Sequence, residues 1–367
     1  MDITDTDHIE LYVGDARMAA DQLCAQYGFR VYGQGGPETG LAGQRSVLLG
    51  QRDVRVLLTS GLSGGHRASR YVAQHGDGVA VVAFGCTDAA AAFAEAVAAG
   101  ATPVSPPQTV TYGHSTVVFA EVSGFGDVTH RLIQRDRTDP SFLPGLIAMP
   151  GDVSQLEAGG GLLHQIDHAA VCLPAGELDA TVAYYERVFG FTMIFQEYIE
   201  VGEQGMQSKV VQSPSGGVTF TLIQPDISRR AGQIDDFLAW HEGAGVQHIA
   251  FSTHDIVAAV RTLGERGVEF AQTPGSYYDM LAGRLGETDV PIDDLRPLGI
   301  LVDRDHWGQM YQIFAKSTHI RRTYFNELID RHGARTFGTS NIPALYAAKE
   351  RELAAVRDIT HSEGTVL

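Results

Sequence analysis

Apolar and polar residues change spacing along the chain in a way that predicts short strands separated by amphipathic helices. Asp7 to Val13 is a strand-like run, and apolar residues at helical spacing follow it until Gly28. Asp167 to Leu173 is followed by the same features in the same order, and its helical pattern stops at Gly190. Glycine just past a last turn is typical of a left-handed cap. Both segments therefore predict a strand, a helix and a glycine stop.

The same similarity returns further along each half of the sequence. The strand-like runs Gly76–Phe84 and Gly243–Phe251 each precede a helical pattern, which begins at Asp88 in the first copy and at Asp255 in the second. Aspartate is a favoured residue at a helix N-cap. A third pair of related runs closes each half, namely Leu132–Arg135 and Leu328–Arg331. The chain is therefore predicted to be a duplicated α+β domain.

The domain boundaries follow from this repeat. We assign residues 1–135 to a first domain and residues 162–367 to a second. Residues 136–161 contain several Pro-Gly turn signals and the run Gly159-Gly160-Gly161, which is typical of a linker. Asn341-Ile342-Pro343 is predicted to open a final helix from 344 to about 357, with the proline in its first turn.

Composition excludes several classes of function. The 367 residues are 44% hydrophobic and 19% charged, which is ordinary for a globular protein of about two domains. Lys and Arg total 27 against 44 Asp and Glu, so the net charge of −17 disfavours nucleic-acid binding. No apolar run approaches the roughly 18 residues of a membrane span, and the acidic start Met1–Asp5 does not resemble a signal peptide. We expect a cytoplasmic protein that binds no membrane. The sequence leaves open whether it forms a homo-oligomer.

The three cysteines, Cys24, Cys86 and Cys172, are far apart and show no C-x-x-C spacing. That number and spacing support neither a disulfide framework nor a zinc ribbon. We interpret all three as small apolar residues.

A comparison of the two copies indicates where metal chemistry could lie. The aligned pairs are His168 with His8, His248 with Val81 and Glu327 with Arg131. The second copy thus offers two imidazoles and one carboxylate from three separate strands, which is the donor set of a facial triad around non-haem Fe(II). The chain has 14 histidines, and a single one is more often a surface or hydrogen-bonded residue. Their matched positions favour a metal site in the second half, whereas His8 is expected to be such an ordinary histidine.

Several strings of the second half resemble the vicinal-oxygen-chelate dioxygenases of the 4-hydroxyphenylpyruvate dioxygenase family. These strings are Ile166-Asp167-His168, Gly243–Ala250, Thr273–Tyr278, Gln312-Ile313-Phe314 and Phe325-Asn326-Glu327. The resemblance covers about residues 7 to 355. It implies two barrel-like domains of βαβββ modules, with Fe(II) held by His168, His248 and Glu327 and a C-terminal helix over the active site.

The resemblance also implies a substrate class. The substrate is a small aromatic 2-oxo acid whose carboxylate and keto oxygens chelate the iron, while O2 is the cosubstrate. No external 2-oxoglutarate is required, because the substrate supplies its own 2-oxo acid. The family places polar groups around the substrate at Ser208, Thr221, Gln233, Gln247 and Gln312, and an aromatic cover at Phe337. A buried glutamine can hydrogen-bond a phenol without adding charge.

Two members of this family share a substrate and differ in product. One hydroxylates the ring and gives homogentisate, and the other hydroxylates the benzylic carbon and gives 4-hydroxymandelate. Ring-hydroxylating members typically have Asn where this chain has Ile223, and Phe where it has Ile342. We therefore expect 4-hydroxymandelate, a product of secondary metabolism, with homogentisate as the alternative. A non-catalytic binding protein of the same fold is a third hypothesis, which the intact triad disfavours.

One position departs from the family pattern. Where members have Phe-Phe-Glu or Phe-Tyr-Glu, this chain has Phe325-Asn326-Glu327. Successive residues of a strand point to opposite faces. If Glu327 faces a metal, Asn326 must face the layer packed outside the barrel.

Overall fold

The structure, a computed structural model, describes residues 1–149 except 137 and 140, and residues 161–344 except 339 and 342. Its first half contains the strands β1 (Ile3–Tyr12), β2 (Arg30–Gly35), β3 (Gln44–Gln51), β4 (Val54–Gly61), β5 (Gly78–Cys86), β6 (Pro103–Tyr112), β7 (Ser115–Ser123) and β8 (Thr129–Arg135). The helices of this half are α1 (Ala16–Tyr27), α2 (Arg67–His75) and α3 (Ala89–Ala98).

The second half repeats the same order. Its strands are β9 (Ile166–Cys172), β10 (Thr192–Val201), β11 (Gln204–Gln212), β12 (Thr219–Pro225), β13 (Gly245–Ser252), β14 (Leu301–Arg304), β15 (Gln309–Phe314) and β16 (Phe325–His332). Its helices are α4 (Leu178–Phe189), α5 (Gln233–His241), α6 (Ile256–Glu265), α7 (Gly275–Leu285) and α8 (Ile292–Leu295). Short 3-10 turns occur at Pro37–Thr39 and Arg296–Leu298.

The predicted helix boundaries are confirmed by their caps. The Asp88 side chain accepts from the Ala91 N–H at the start of α3, and Asp255 does the same for Ala258 at the start of α6. Gly28 ends α1 with φ of 76° and Gly190 ends α4 with φ of 68°. This left-handed conformation favours glycine, which explains why the sequence places it there in both copies.

Each half forms one curled eight-stranded sheet, and the two sheets have the same topology. The strand orders are β2-β3-β4-β1-β5-β8-β7-β6 and β10-β11-β12-β9-β13-β16-β15-β14. In each sheet the two βαβββ units meet at an antiparallel pair, β1 with β5 and β9 with β13. The duplication and the α+β fold class predicted from the sequence are therefore confirmed. Among the described residues, no helix is both long and apolar enough to span a bilayer.

The outer layers of the two halves pack into one continuous core. Phe84 of the first half lies 5.5 Å from the ring of Phe189 and 6.1 Å from that of Phe220. Within this apolar layer, His130 Nε2 lies 2.7 Å from the Tyr185 hydroxyl, and both side chains are fully buried. Burial lowers the pKa of His130 to about 3, so it is neutral.

Part of the predicted linker belongs to the first barrel. Phe142 and Ile147 are buried among residues of the inner sheet face, and Gln34 pairs with Ala148 in an isolated bridge. Pro and Gly signals mark turns, but they do not report whether the residues between them pack. The predicted final helix lies outside the described residues apart from Ala344. Cys86 and Cys172 are buried and Cys24 is half-buried, and all three are free.

Candidate metal centre

Three neighbouring strands bring the predicted ligands together. His168 lies on β9, His248 on β13 and Glu327 on β16. Ala250 of β13 is directly opposite both His168 and Glu327, and His248 is two residues before it on the same strand. Because side chains two apart share a face of a strand, all three ligands project into the barrel.

The donor atoms form a compact cluster. His168 Nε2 is 3.4 Å and His248 Nε2 is 3.2 Å from Glu327 Oε2, and one donor atom from each residue lies within 4.8 Å of the others. All three side chains are buried. Glu327 Oε1 has no hydrogen-bond partner among the described residues. This buried carboxylate oxygen without a hydrogen-bond partner lies beside two imidazole nitrogens. The arrangement fits a divalent cation, because a metal ion can bind all three ligand atoms at once.

The pKa shifts in the cluster keep its carboxylate ionised, as a cation site requires. Burial alone would raise the pKa of Glu327, but hydrogen bonds from His168 and His248 outweigh it and lower the pKa to about 2. Burial lowers the pKa of His248. For His168, burial would lower the pKa, but hydrogen bonds to Asp167 and Glu327 outweigh it and raise the pKa to about 9. A bound metal would displace that proton, so binding is coupled to proton release.

A second layer of side chains holds His168. Asp167 Oδ1 lies 2.8 Å from His168 Nδ1, and Arg331 donates to both oxygens of Asp167 at 2.7 and 2.9 Å. The Phe337 ring meets the His168 ring edge-on at 5.2 Å, with the Arg331 guanidinium 5.0 Å from the centre of the Phe337 ring. These contacts fix the ring so that Nε2 points at the cluster.

The first half contains a full copy of this second layer. Its members are Asp7, His8, Arg135 and Phe142. Asp7 Oδ1 lies 2.6 Å from His8 Nδ1, and Arg135 donates to Asp7 at 2.9 and 3.0 Å. Phe142 meets His8 edge-on at 4.8 Å. His8 is thus a buried, hydrogen-bonded histidine, as the sequence predicted. The duplication preserves the support for an imidazole in the first half, where the described residues form no cluster of metal ligands.

A guanidinium stands in the first half where the second half has its ligand cluster. Arg131, the counterpart of Glu327, donates to Glu10 at 2.7 Å and to Glu121 at 2.7 and 3.0 Å, and its Nη1 lies 3.0 Å from His8 Nε2. Arg67 also donates to Glu121, at 2.7 Å. The histidine nitrogen that would face a metal therefore faces a fixed cation of the protein.

Comparison with known proteins identifies the fold family. The family model described as the glyoxalase/bleomycin resistance protein/dioxygenase superfamily matches residues 6–126 and 165–284, one match in each half. The chain belongs to this superfamily. The first match runs from β1 to the end of β7, and the second from the start of β9 into α7.

Relatives within this superfamily align along nearly the whole chain. A 4-hydroxyphenylpyruvate dioxygenase of Yarrowia lipolytica is 32% identical over 362 residues, which span 95% of this chain and 92% of the relative. One of Aspergillus fumigatus is 32% identical over 372 residues, spanning 95% and 92%. The solved structure of a triple-substituted variant of 4-hydroxymandelate synthase from Streptomyces coelicolor is 44% identical, covers 96% of this chain and 99% of its own, and superposes with a TM-score of 0.85.

The inner wall of this superfamily barrel carries most of the predicted substrate contacts. Ser208 on β11 is opposite Ile223 on β12, and Thr221 shares that face two residues away. Ser208 and Thr221 are buried, and Thr221 Oγ1 has no hydrogen-bond partner among the described residues. Gln312 on β15 is buried and lies opposite Ile329, two residues past Glu327. Strand register places these residues on the same face of the sheet as the metal ligands.

Gln247 reaches the site by a bulge. Strict alternation would turn Gln247 away from the face of its neighbour His248. The register of β13 against β9 shifts between Val246 and His248, so Gln247 is an extra residue in the strand. Its Oε1 consequently lies 3.4 Å from His248 Nδ1. Sequence spacing alone does not reveal such a bulge.

Other predicted positions lie elsewhere. Gln233 is the first residue of α5, and its side chain is exposed rather than part of the buried inner wall. Its neighbour Ile234 instead packs inward with Ile223. Ile342 lies outside the described residues. Asn326 faces away from the metal cluster, as strand alternation predicted, and accepts a 2.8 Å hydrogen bond from the Tyr324 hydroxyl.

The second-layer residues Asp167 and Arg331, and the first-half cluster around Arg131, were not recognised from the sequence as functional. A signal existed for the second layer, because the Asp-His pair and the closing arginine recur in both copies. No comparable pattern marks Glu10 and Glu121, which come together with Arg131 only through the sheet register.

Proposed function

We propose that the protein is a non-haem Fe(II) enzyme that converts 4-hydroxyphenylpyruvate and O2 to 4-hydroxymandelate and CO2. The observation that carries the proposal is the buried His168, His248 and Glu327 cluster, in a chain 44% identical to a 4-hydroxymandelate synthase along nearly its full length. Fe(II) held there would bind the 2-oxo acid through its carboxylate and keto oxygens and activate O2 beside it.

The protein side chains have separate tasks in this proposal. His168, His248 and Glu327 would hold the metal on one side and leave positions open for substrate and O2. The unpartnered Thr221 hydroxyl and the buried Ser208 and Gln312 offer hydrogen bonds to the substrate without adding charge. Phe337, packed on His168, would cover the site and exclude water.

The preference for the benzylic carbon rests on the end of the barrel near Ile223. Ile223 packs against a cluster formed by Cys172, Ile199, Met206, Ile234 and Phe237. An apolar wall cannot hydrogen-bond the substrate ring where an asparagine could. If the substrate ring can shift by about 1 Å, the benzylic carbon rather than a ring carbon can lie nearest the oxidant. A displacement of that size is enough to change which carbon reacts.

Homogentisate is the second candidate product. It is favoured by the names of the relatives in Yarrowia lipolytica and Aspergillus fumigatus, both 4-hydroxyphenylpyruvate dioxygenases. Both products arise from the same substrate and the same metal centre, so the cluster itself does not distinguish them.

Product analysis tests the proposal. Protein reconstituted with Fe(II) under anaerobic conditions is mixed with 4-hydroxyphenylpyruvate and O2, and the products are identified by NMR and mass spectrometry. We expect 4-hydroxymandelate and one CO2 per turnover, and no turnover in metal-free protein or in His248→Ala. Homogentisate from the unaltered protein would establish the second candidate instead. Neither product at saturating substrate would refute both.

A further inference from the structure

A cavity lies between the two halves, and none of the three proposed metal ligands lines it. It has a volume of about 760 Å³, and its lining combines α1 and the outer face of β1 and β4 with residues 316–326 of the second half. The Gln22 amide donates to Thr318 Oγ1 at 3.2 Å, and the Gln26 amide donates to the Gly267 carbonyl at 3.4 Å. These hydrogen bonds tie α1 to the second half beside the cavity.

Three of the polar side chains that line this cavity meet at one point. Asn326, the residue that replaces a family aromatic, lines the cavity together with Tyr27 and Tyr324. Tyr324 donates to Asn326 Oδ1 at 2.8 Å, and Asn326 also hydrogen-bonds the Tyr27 hydroxyl. In that hydrogen bond the Asn326 amide donates, since the bond lowers the pKa of Tyr27. The Tyr27 O–H is not used in it and can donate to a molecule in the cavity.

Another part of the wall is apolar. Leu11, Leu58, Phe29 and Phe251 line it. Burial raises the pKa of Tyr27 to about 12 and that of Tyr324 still further, so both phenols remain neutral at physiological pH. A pocket of 300 to about 1,000 Å³ with apolar walls and few convergent polar groups is the usual form of a small-molecule site.

The charged residues of the cavity disfavour anions. Asp15, Asp77 and Glu269 line it, and its two cations are already paired, Lys316 with Glu269 at 3.1 Å and Arg321 with Glu242 at 3.3 Å. A carboxylate ligand would meet this negative potential and would then lose its hydration at an apolar wall. An aromatic 2-oxo acid therefore fits this cavity poorly.

We propose that this cavity binds an uncharged aromatic molecule through a single hydroxyl group, at a site separate from the metal centre. The aromatic ring lies against the wall formed by Leu11, Leu58, Phe29 and Phe251. The hydroxyl group reaches Tyr27 and Asn326 at the floor. A phenylalanine at position 326, where relatives of the family have an aromatic residue, fills this floor and closes the site.

Calorimetric titration with 2-naphthol as the probe tests the proposal. We expect one molecule to bind per chain. Naphthalene, which lacks the hydroxyl, and 2-naphthoate, which is an anion, should each bind at least tenfold more weakly. Anaerobic Fe(II) protein saturated with 4-hydroxyphenylpyruvate should bind 2-naphthol with unchanged affinity, because under the proposed function that compound would bind at the metal centre. Loss of binding on saturation would place the probe in the catalytic barrel and overturn the proposal.

Two variants and a control locate the binding. Asn326→Phe should abolish binding of 2-naphthol by filling the floor. Tyr27→Phe, which keeps the ring and removes only the hydroxyl, should weaken binding about tenfold, which is the size of one lost hydrogen bond. Ile223→Phe adds comparable volume inside the catalytic barrel and should leave the affinity unchanged. Circular dichroism checks the fold of each variant. If Asn326→Phe does not fold, the affinity of Tyr27→Phe for 2-naphthol tests the site on its own. Unchanged affinity in a folded Tyr27→Phe, or no binding to the unaltered protein, would refute the site.

Discussion

Replacing Arg131 by leucine should destabilise the protein strongly without changing iron binding at the proposed metal site of the second half. The guanidinium is buried and donates to Glu10 and Glu121 while also contacting His8. Arg131→Leu would leave two carboxylates in the barrel, with only Arg67 still bound to Glu121. Removing one partner of a buried ion pair typically costs about 3–5 kcal/mol, because the other charge stays buried without compensation. We expect a loss of that size in the free energy of unfolding.

The loss should also depend on pH in a defined direction. Burial would raise the pKa of Glu121, but Arg131 and Arg67 outweigh it and lower the pKa from 4.5 to about 2. A carboxyl whose pKa is lower in the folded state stabilises the protein above its ordinary pKa, and this contribution is lost as pH falls from about 4.5 to 2. Without Arg131 the pKa of Glu121 is lowered less. The difference between the two proteins should therefore be largest near pH 7 and decrease below about pH 4.

Denaturant unfolding at pH 7 and at about pH 3, followed by circular dichroism, measures both effects, and iron content is determined on the pH 7 samples. Arg45→Leu is the matched control, because Arg45 forms an exposed pair with Glu38 at 2.9 Å. Exposed pairs contribute about 0–1 kcal/mol. If Arg131→Leu lost no more stability than Arg45→Leu, or if it lost its iron, the interpretation of Arg131 as a cation that replaces a metal in the first half would be wrong.

Three further predictions concern the metal centre. Alanine at His168, His248 or Glu327 should abolish stoichiometric iron binding, whereas His8→Ala should retain it in the folded protein; iron analysis after gel filtration decides. Asp167→Asn should weaken iron binding about 10- to 100-fold by releasing the His168 ring, while Asp7→Asn, the same change in the first half, should leave the affinity unaltered in a metal titration. Ile223→Asn should raise the fraction of homogentisate at unchanged iron content, since about 1.4 kcal/mol in relative barriers changes a product ratio tenfold; an unchanged ratio by NMR would show that this position does not control the product.

The internal repeat made most of the architecture predictable from the sequence. Matching caps such as Asp88 and Asp255 identified equivalent helices, and the alignment of His168 with His8 placed the metal cluster on one of two similar sheets. Such features are local or repeated, so a single sequence contains them. The bulge at Gln247 and the packing of Phe142 were not predictable, because each depends on a strand or residue distant in sequence.

The replacement of a metal site by an arginine requires more than one substitution. A guanidinium buried opposite His8 would be an uncompensated charge, at a cost of several kcal/mol. The first half supplies the compensation at two positions that the second half keeps apolar: Glu10 is the counterpart of Ala170, and Glu121 the counterpart of Phe314. In the second half, Ala170 and Phe314 add no further carboxylate beside Glu327. Glu327→Arg alone would therefore not convert the second barrel into a copy of the first, because Ala170 and Phe314 supply no carboxylate to compensate the buried cation.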